Sequence, residues 1–490
     1  MRTPVPGCST TPTSSMEESP MGHNRSPRDL QNRKPSKPGS PSLIERIKPN
    51  AAGIDCGSEQ HYVAVPSDRD PEPVRSFKTF TADLHRLADW LVACGIETVA
   101  MESTGVYWIP IYEILEERGL EVVLVNARHV KNVPGRKSDV LDCQWIQELH
   151  SVGLLRGSFR PAAEIAALRA YMRHREKLIQ GASSHIQRMQ KALVQMNLQL
   201  HNVISDITGV TGMRILRDLV AGITDPKVLA AHRDHRCRAS EQEITASLTG
   251  HYRAEHLFAL RQNLELYDTF QRQIQGCDRA IEALLQTLAA QQQKPNVPPP
   301  PARSNKKPRD NEPRFEIRTH LYRLAGVDLT QIDTIGPYTA LQLIAEIGTD
   351  MSRWRTDKHF TSWLTLAPKN KISGARLLSS KTQPSANRAA AILRMCAMVA
   401  GHTSTALGAY YRRIAYRIGK PKAITATARK IAVLVFHLLR GDWTYRDPGA
   451  DAYEAQHRTR TLRHLRNRAR QLGFGLLHLE TGELLEGAVS

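Results

Sequence analysis

The stretch AAGIDCGSEQHYVAV, residues 51–65, decides the fold class of this chain. Two apolar runs, residues 51–55 and 61–65, flank a short polar turn, which is typical of a strand hairpin. The first run ends in a carboxylate, Asp55, and a later apolar run, residues 98–102, ends in Glu102. The sequence therefore predicts an α/β domain that carries two acidic side chains at strand ends.

Two further acids, Asp139 and Asp142, lie in the segment GRKSDVLD, residues 135–142. Ser138 suits the N-cap of a helix, and the three-residue spacing places both acids on one helical face. Any one of these acids alone is more often a cap or a solvated surface charge than a metal ligand. Together, Asp55, Glu102, Asp139 and Asp142 predict a Mg²⁺ site, because Mg²⁺ takes a few carboxylates, waters and phosphate oxygens.

Residues 48 to 160 alternate between short apolar runs and helical stretches. Strands are predicted at residues 76–80 and 122–125, and helices near 83–94 and 107–118, which is the order of a ribonuclease-H-like α/β domain. Residues 1–45 are rich in Pro, Ser, Arg and Lys and are predicted to be a disordered basic arm.

Residues 165–290 show a helical period, with two apolar seams that predict a coiled coil. The first seam is apolar except at Arg175, and Gln271 and Asp278 interrupt the second. The seams could pair within one chain or between chains, and seams of this length usually organise multimers. Gly209, Gly212 and Gly222 are predicted to mark the end of the first long helix.

Three segments complete the division of the chain. Residues 291–314 are rich in Pro and basic residues and predict a solvated linker. A mostly helical domain is predicted over residues 316–445, and residues 446–490 form a basic tail. Its arginines either contact phosphate or form a solvated face; they are Arg458, Arg460, Arg463, Arg466, Arg468 and Arg470.

The composition limits the possible partners. The chain has 490 residues, a formal net charge of +19 and a pI near 9.8, which favours nucleic acid over an acidic membrane surface. No run of eighteen apolar residues and no signal-peptide core occur, so a soluble cytoplasmic protein is expected. The seven cysteines form no C-x-x-C pair, which argues against a disulfide framework or a zinc site. Cys56 and Cys143, each beside a proposed ligand, are expected to be small buried side chains.

Two motifs in the C-terminal half could belong to a DNA-binding or catalytic site. Residues 335–337, Ile-Gly-Pro, look like a helix-hairpin-helix turn, which either receives a DNA phosphate or serves helix packing. Residues 368–374, PKNKISG, place Ser373 before a glycine in a basic loop. From chemistry alone, such a serine belongs to an ordinary turn.

The amino-acid sequence around these residues resembles that of a known family. Residues 101–108 (MESTGVYW), Val125-Asn126 and residues 135–139 resemble the DEDD transposases of the insertion-sequence 110 family. The segment from Ile335 through Trp443 is similar to the C-terminal domain of that family, whose P-x-x-x-x-S-G serine is matched by Ser373. The likeness covers residues 48–445, and residues 379–382 with 423–428 favour the 1111 subgroup. The sequence departs from the family at Ser385-Ala386-Asn387, which replaces the usual Gly-Asn.

The resemblance implies a DNA recombinase that excises and integrates its own mobile element under the guidance of an element-encoded RNA. Ser373 would form a phosphoserine link, and the four acids of a RuvC-like domain, residues 48–160, would hold Mg²⁺. Because a serine hydroxyl is a weak nucleophile, the metal must lie beside it, so the two domains must meet within one chain or across a multimer. Double-stranded DNA, guide RNA and a homo-oligomer, dimer or tetramer, are the implied partners, at the nucleoid of a bacterial cytoplasm.

Two other functions fit the same residues. In a metal-only ribonuclease-H-like nuclease or Holliday-junction resolvase, water attacks the DNA and no covalent adduct forms. In a non-catalytic nucleic-acid-binding scaffold, the acids are degenerate. All four acids are present together with their flanking motifs, which disfavours a non-catalytic scaffold.

Overall fold

A computed structural model of the chain describes residues 46–103, 105–126, 139–291, 298–302, 309–442 and 444–482, with the side chain of Asp139 excepted. The predicted basic arm, the predicted cap Ser138, half of the predicted linker and the end of the basic tail lie outside the described residues. The chain divides after Phe159 into two compact units.

The first unit contains a five-stranded mixed sheet. Its strands are β1 (Ala51–Cys56), β2 (Gln60–Ala64), β3 (Val74–Lys78), β4 (Thr98–Glu102) and β5 (Glu121–Val125). The strand order is β3-β2-β1-β4-β5, with β1, β2 and β3 antiparallel and β1, β4 and β5 parallel. The predicted hairpin and the other predicted strands are confirmed, with boundaries shifted by one or two residues.

One face of this sheet carries the core of the unit. Helices α1 (Thr81–Ala93) and α2 (Trp108–Glu117) cover it, and Ile54 and Met101 pack there against Leu87, Leu91 and Leu115. Side chains alternate between the two faces of a strand, so the neighbours of Ile54 and Met101 point to the opposite face. This α/β unit is compatible with the predicted ribonuclease-H-like domain.

The opposite face is covered by helix α3 (Asp139–Ser151). Ile146 of α3 packs against Ala100 of β4 and Val125 of β5 in a small buried cluster. The sheet is therefore covered on both faces, as strands with parallel pairing usually are.

The second unit begins with a pair of long helices. Its first helices are α4 (Ala163–Gln195), α5 (Val210–Ala221), α6 (Pro226–Ala230), α7 (Glu241–Leu248) and α8 (Ala254–Gln291). Arg175 contacts Asp278, whereas His185, further along α4, contacts Asn263, nearer the start of α8. The two helices are therefore antiparallel, and of the two arrangements open from the sequence, pairing within one chain is observed.

The single charged residue of the first seam is explained by its partner in the second. Arg175 is 1% exposed, and its Nε lies 2.5 Å from Oδ1 of Asp278. Its Nη1 donates to the carbonyl of Asn311 at 2.9 Å, and the guanidinium lies 5.4 Å from the ring centroid of Tyr338. Because a buried ion is stable only when its partners are in place, this pair fixes the register of α4 against α8.

The predicted end of the first long helix near Gly209 was wrong. Helix α4 ends at Gln195, and Asn197 takes a left-handed conformation with φ 56°. The amide of Leu198 donates to the carbonyl of Leu193 at 2.9 Å, which is the closing bond of a Schellman motif. The seam residues beyond it, such as Leu200 and Ile207, are buried in the cluster formed with α5 and α7 rather than on a helix stripe.

The rest of the second unit is mostly helical, as predicted. Its elements are α9 (Ile317–Ala325), α10 (Pro337–Ile347), α11 (Asp357–Trp363), a hairpin of β6 (Lys371–Ser373) and β7 (Arg376–Ser379), α12 (Arg388–Ala400), α13 (Ala406–Ile418), α14 (Lys420–Arg440) and α15 (Ala450–Gln471). Helix α15 lies within the predicted basic tail, residues 446–490, and none of its residues is buried. Among the described helices, none is long and apolar enough to cross a membrane.

Candidate active site

Two of the predicted ligands lie side by side at one edge of the sheet. Ile54 of β1 is opposite Met101 of β4 in a parallel pair, so Asp55 and Glu102 each follow by one residue. Neighbouring strands are about 4.8 Å apart, and both side chains point to the face that α3 covers. Both residues are partly buried. The pairing thus brings together two carboxylates that are 47 residues apart in the chain.

Helix α3 crosses this face in the direction opposite to β1. Near its end, His150 Nε2 lies 2.9 Å from Thr98 Oγ1 at the start of β4, and Gln147 donates to the carbonyl of Ala51 at 3.2 Å. The first turn of α3 therefore lies at the edge where β1 and β4 end. That turn contains Asp142, which is partly buried.

The thiols of Cys56 and Cys143 lie in the electrostatic environment of the acids. Burial raises the pKa of the Cys143 thiol to about 12, and the charges of Asp55 and Asp142 add to the rise. Burial also raises the pKa of the Cys56 thiol, with Asp55 and Glu102 as the further causes. Asp55 therefore shares one electrostatic environment with both other acids. The expectation that Cys56 and Cys143 are small buried side chains is confirmed.

The structure thus brings Asp55, Glu102 and Asp142 to one edge. Asp139 begins α3, three residues before Asp142, and its side chain lies outside the described residues. Among the described side chains, no group of three or more His, Cys, Asp or Glu is close enough to hold a metal ion. The donor chemistry nevertheless suits Mg²⁺, since all four predicted ligands are carboxylates.

Three residues that position this edge escape prediction from sequence. A Cβ on Gly53 would lie 2.4 Å from the Gln147 amide nitrogen, so only glycine allows α3 to lie this close to β1. Gln147 and His150 are both buried. Burial lowers the pKa of His150 to about 4, with Lys48 as the second cause. The available signal is the helical spacing i, i+3, i+4, i+7 of Cys143, Ile146, Gln147 and His150. Two of the four are polar, so the stripe does not look like a buried one in the sequence.

Gly53→Ala is expected to displace α3 and to lower the melting temperature of the protein by several degrees, because a Cβ at 2.4 Å from a backbone atom forces the helix outwards. Differential scanning calorimetry measures the change. Gly276→Ala is the matched control, since its Cβ would meet only the end of Arg279 at 4.0 Å in the middle of α8. Equal melting temperatures for the two variants would contradict the close packing of α3 on β1.

The predicted nucleophile lies on the hairpin of β6 and β7 in the second unit. Ser373 ends β6 and pairs with Arg376, and the two residues between them, Gly374 and Ala375, have φ 50° and 62°. Two consecutive positive φ values define a two-residue turn of type I′. Alanine is uncommon in this conformation, which costs about 1–2 kcal/mol for a residue with a Cβ. Such strain at an exposed turn is often found at functional sites.

The hairpin is exposed and basic. Ser373 is exposed, and so are the apolar side chains of Ile372 and Leu378 at 63% each. The base of the hairpin is closed by the Lys369 amide, which donates to the carbonyl of Lys381 at 3.0 Å. The serine therefore has an unobstructed approach from solvent, in a segment with four cations: Lys369, Lys371, Arg376 and Lys381.

The departure from the family pattern at residues 385–387 has a structural role. Asn387 is the N-cap of α12, and its side chain accepts a hydrogen bond from the Ala390 amide at 3.0 Å. The Asn387 amide in turn donates to Ser385 Oγ at 3.0 Å. The loop after the hairpin therefore ends in an ordinary helix cap.

The predicted helix-hairpin-helix turn lies beside a cavity of about 830 Å³ in the second unit. Gly336 is the exposed N-cap of α10, while Ile335 is buried. Arg173 lines the same cavity, and its guanidinium binds both oxygens of Glu346 at 2.9 and 2.8 Å. Helix packing accounts for Ile335, and a bound phosphate would meet an arginine that already has an acidic partner.

Comparison with known proteins gives two matches. Residues 52–198 match the family model of the DEDD transposases of IS110, and residues 314–412 match the model described as transposase, IS116/IS110/IS902 family. The first match contains Asp55, Glu102, Asp139 and Asp142, and the second contains Ser373. Together they span about half of the chain. No curated protein matches it.

Proposed function

Because this chain belongs to the IS110 family of transposases, it is an enzyme that acts on DNA, and we propose that it excises and integrates its own insertion sequence. An RNA encoded on that insertion sequence guides the choice of DNA by base pairing. Ser373 forms a phosphoserine intermediate, and Asp55, Glu102, Asp139 and Asp142 hold Mg²⁺. The subgroup that fits the sequence is that of insertion sequence 1111.

The convergence of Asp55, Glu102 and Asp142 at one sheet edge carries this proposal. Three oxygen-donor side chains from β1, β4 and α3 lie at the same edge of the sheet, and phosphodiester chemistry needs such negative charge to hold metal ions. When bound there, Mg²⁺ supplies positive charge that polarises the scissile phosphate and stabilises the leaving 3′ oxygen. Asp139, one helical turn before Asp142, supplies the fourth carboxylate.

Ser373 performs the covalent step. Its hydroxyl proton passes to water, its Oγ forms a bond to phosphorus, the bond from phosphorus to the 3′ oxygen breaks, and the 3′ oxygen takes up a proton to leave as a hydroxyl. The phosphoserine keeps the phosphodiester in an activated form, so a second 3′ hydroxyl can displace Oγ and rejoin the strands. The exposed position of Ser373 beside a type I′ turn supports this role, because the turn presents the hydroxyl on a short, well-defined hairpin.

We further propose that the α4–α8 pair forms a coiled coil through which chains assemble into a dimer or tetramer. Large apolar side chains remain exposed on both helices in spite of their mutual packing: Tyr171, Val194, Phe258 and Leu266. Burial of such side chains in a second chain would stabilise an assembly.

A metal-only nuclease or resolvase is the second candidate. It is favoured by the location of all four acids in the first unit, which has its own buried core. In that enzyme water attacks the phosphate, and Ser373 has no chemical role.

The purified protein is expected to cleave DNA that contains the ends of the insertion sequence when Mg²⁺ and the element-encoded RNA are both present. Cleavage should stop in EDTA and return when Mg²⁺ is restored, because the acids alone cannot stabilise the leaving oxygen. Strand cleavage is measured on denaturing gels. Equal cleavage in EDTA would contradict the metal site, and equal cleavage without RNA would contradict the guide.

A further inference from the structure

Two cations from two helices lie over the rings of two tyrosines in the second unit, and a third cation shares their electrostatic environment. Arg413 comes from α13, Lys430 from α14 and Arg460 from α15. Nζ of Lys430 lies 4.8 Å from the ring centroid of Tyr410, and Cζ of Arg413 lies 5.1 Å from that of Tyr453. The two rings meet edge to face with centroids 6.4 Å apart.

Among the described residues, no carboxylate offsets the positive charge that Lys430 experiences from Arg413 and Arg460. Nη1 of Arg413 is buried without a hydrogen-bond partner among the described residues, while its Nη2 donates to the hydroxyl of Tyr453. Lys430 is exposed, but the groups packed around its ammonium displace water and lower its pKa, and the charges of Arg413 and Arg460 lower it further. Like charges held together are unfavourable unless an anion joins them. A buried donor without an acceptor adds to the cost.

We propose that Arg413, Lys430 and Arg460 form a binding site for a backbone phosphate of a nucleic acid. A phosphate oxygen can accept from the exposed ammonium group of Lys430, and its negative charge neutralises the repulsion between Lys430 and Arg413. The cations lie against the faces of both tyrosine rings, so the cluster takes a phosphate and does not stack bases. Such a contact positions nucleic acid without reading its sequence.

A row of arginines leads away from the cluster along α15. Arg460, Arg463, Arg466 and Arg470 are spaced by three or four residues, which places them along one side of the helix. Over ten residues the row extends about 15 Å. With a formal net charge of +19 and membership of a transposase family, these features favour a nucleic-acid backbone over an acidic protein surface.

The test is equilibrium binding of the double variant Arg413→Gln/Lys430→Gln to duplex DNA and to an RNA hairpin over a series of salt concentrations. Affinity is expected to fall about tenfold for each charged hydrogen bond lost. The slope of log affinity against log salt should become shallower by about 0.9 for each lost phosphate contact. The control Lys191→Gln/Lys227→Gln removes the same two charges from exposed lysines of α4 and α6.

The nucleic acid whose binding weakens beyond the control identifies the source of the phosphate, DNA, RNA or both. Affinities equal to those of the control for both nucleic acids would overturn the proposal, and so would weakening only towards an acidic protein. If the double variant does not fold, Lys430→Gln alone replaces it, since Lys430 is exposed. Lys430→Arg should retain affinity because it keeps the charge. Binding is measured without cleavage, so the result is independent of the proposed phosphoserine chemistry.

In a second measurement, inorganic pyrophosphate at constant ionic strength should raise the melting temperature of the wild-type protein and raise that of Lys430→Gln less. A structural role for the cluster would lower the melting temperature of Lys430→Gln without this difference. Identical pyrophosphate shifts in the two proteins would contradict a built phosphate site.

Discussion

Asp142→Asn is expected to lower the rate of strand cleavage by at least about 100-fold, because a bound metal contributes several kcal/mol to the transition state and each 1.36 kcal/mol is a factor of about ten. The substitution keeps the volume of the side chain and removes the charge that balances Mg²⁺. Asp55→Asn, Glu102→Gln and Asp139→Asn should have the same effect. In the metal-free protein the melting temperature should stay nearly equal, since each substitution leaves the packing of the edge unchanged.

Glu97→Gln is the matched control for this series. Glu97 lies just before β4, at the opposite end of the strand from Glu102, and its Oε1 accepts from the Asn50 side chain at 3.0 Å. Cleavage of a junction substrate in saturating Mg²⁺, with thermal melting of the same samples, separates loss of metal from loss of fold. An acid whose variant keeps a rate near that of the wild type is not a ligand, and its assignment fails.

The strands and helices of the first unit follow from local pattern, but the site does not. Short apolar runs bounded by turn residues predict β1, β2 and β4, and β1 and β4 are buried along nearly their whole length because the sheet is covered on both faces. The parallel register that aligns Ile54 with Met101 depends on tertiary pairing, and no pattern in the sequence near either residue indicates it. The sequence therefore indicates Asp55 and Glu102 as candidates, and only the structure makes them neighbours.

The heptad pattern of the first long helix continues in the sequence beyond the residue at which the helix ends. Apolar residues keep their spacing past Gln195, but Asn197 turns the chain and the later residues are buried by other helices. The apolar residues after Gln195 are buried outside the helix, and their spacing continues the heptad pattern only by chance. Asn at position 197 was the available clue, because Asn tolerates the left-handed conformation.

Clusters built from separate helices are invisible in the sequence. Tyr410, Lys430 and Tyr453 belong to α13, α14 and α15, and no spacing rule relates them. The Ser-Gly pair predicts the turn after Ser373, whereas nothing in the sequence predicts the left-handed conformation of Ala375, since alanine has no preference for it.

Ser373→Ala is expected to abolish both strand cleavage and the covalent protein–DNA adduct while DNA affinity stays unchanged. The variant removes one exposed hydroxyl from the end of β6 and leaves the type I′ turn in place. Ser373→Cys should retain at most trace activity, because a thiolate attacks phosphorus but suits the metal-bound site poorly. Ser380→Ala, at an exposed serine just beyond β7, is the control and should cleave like the wild type.

The most direct test of the phosphoserine mechanism is the reaction of the wild-type protein with a suicide DNA substrate, in Mg²⁺ and with the element-encoded RNA, followed by denaturation and mass spectrometry. The expected result is a DNA adduct that survives denaturation and maps to the peptide containing Ser373. Cleavage without any adduct, at equal rates in the wild type and in Ser373→Ala, would contradict the mechanism, since water would then be the attacking group and the enzyme a metal-only nuclease.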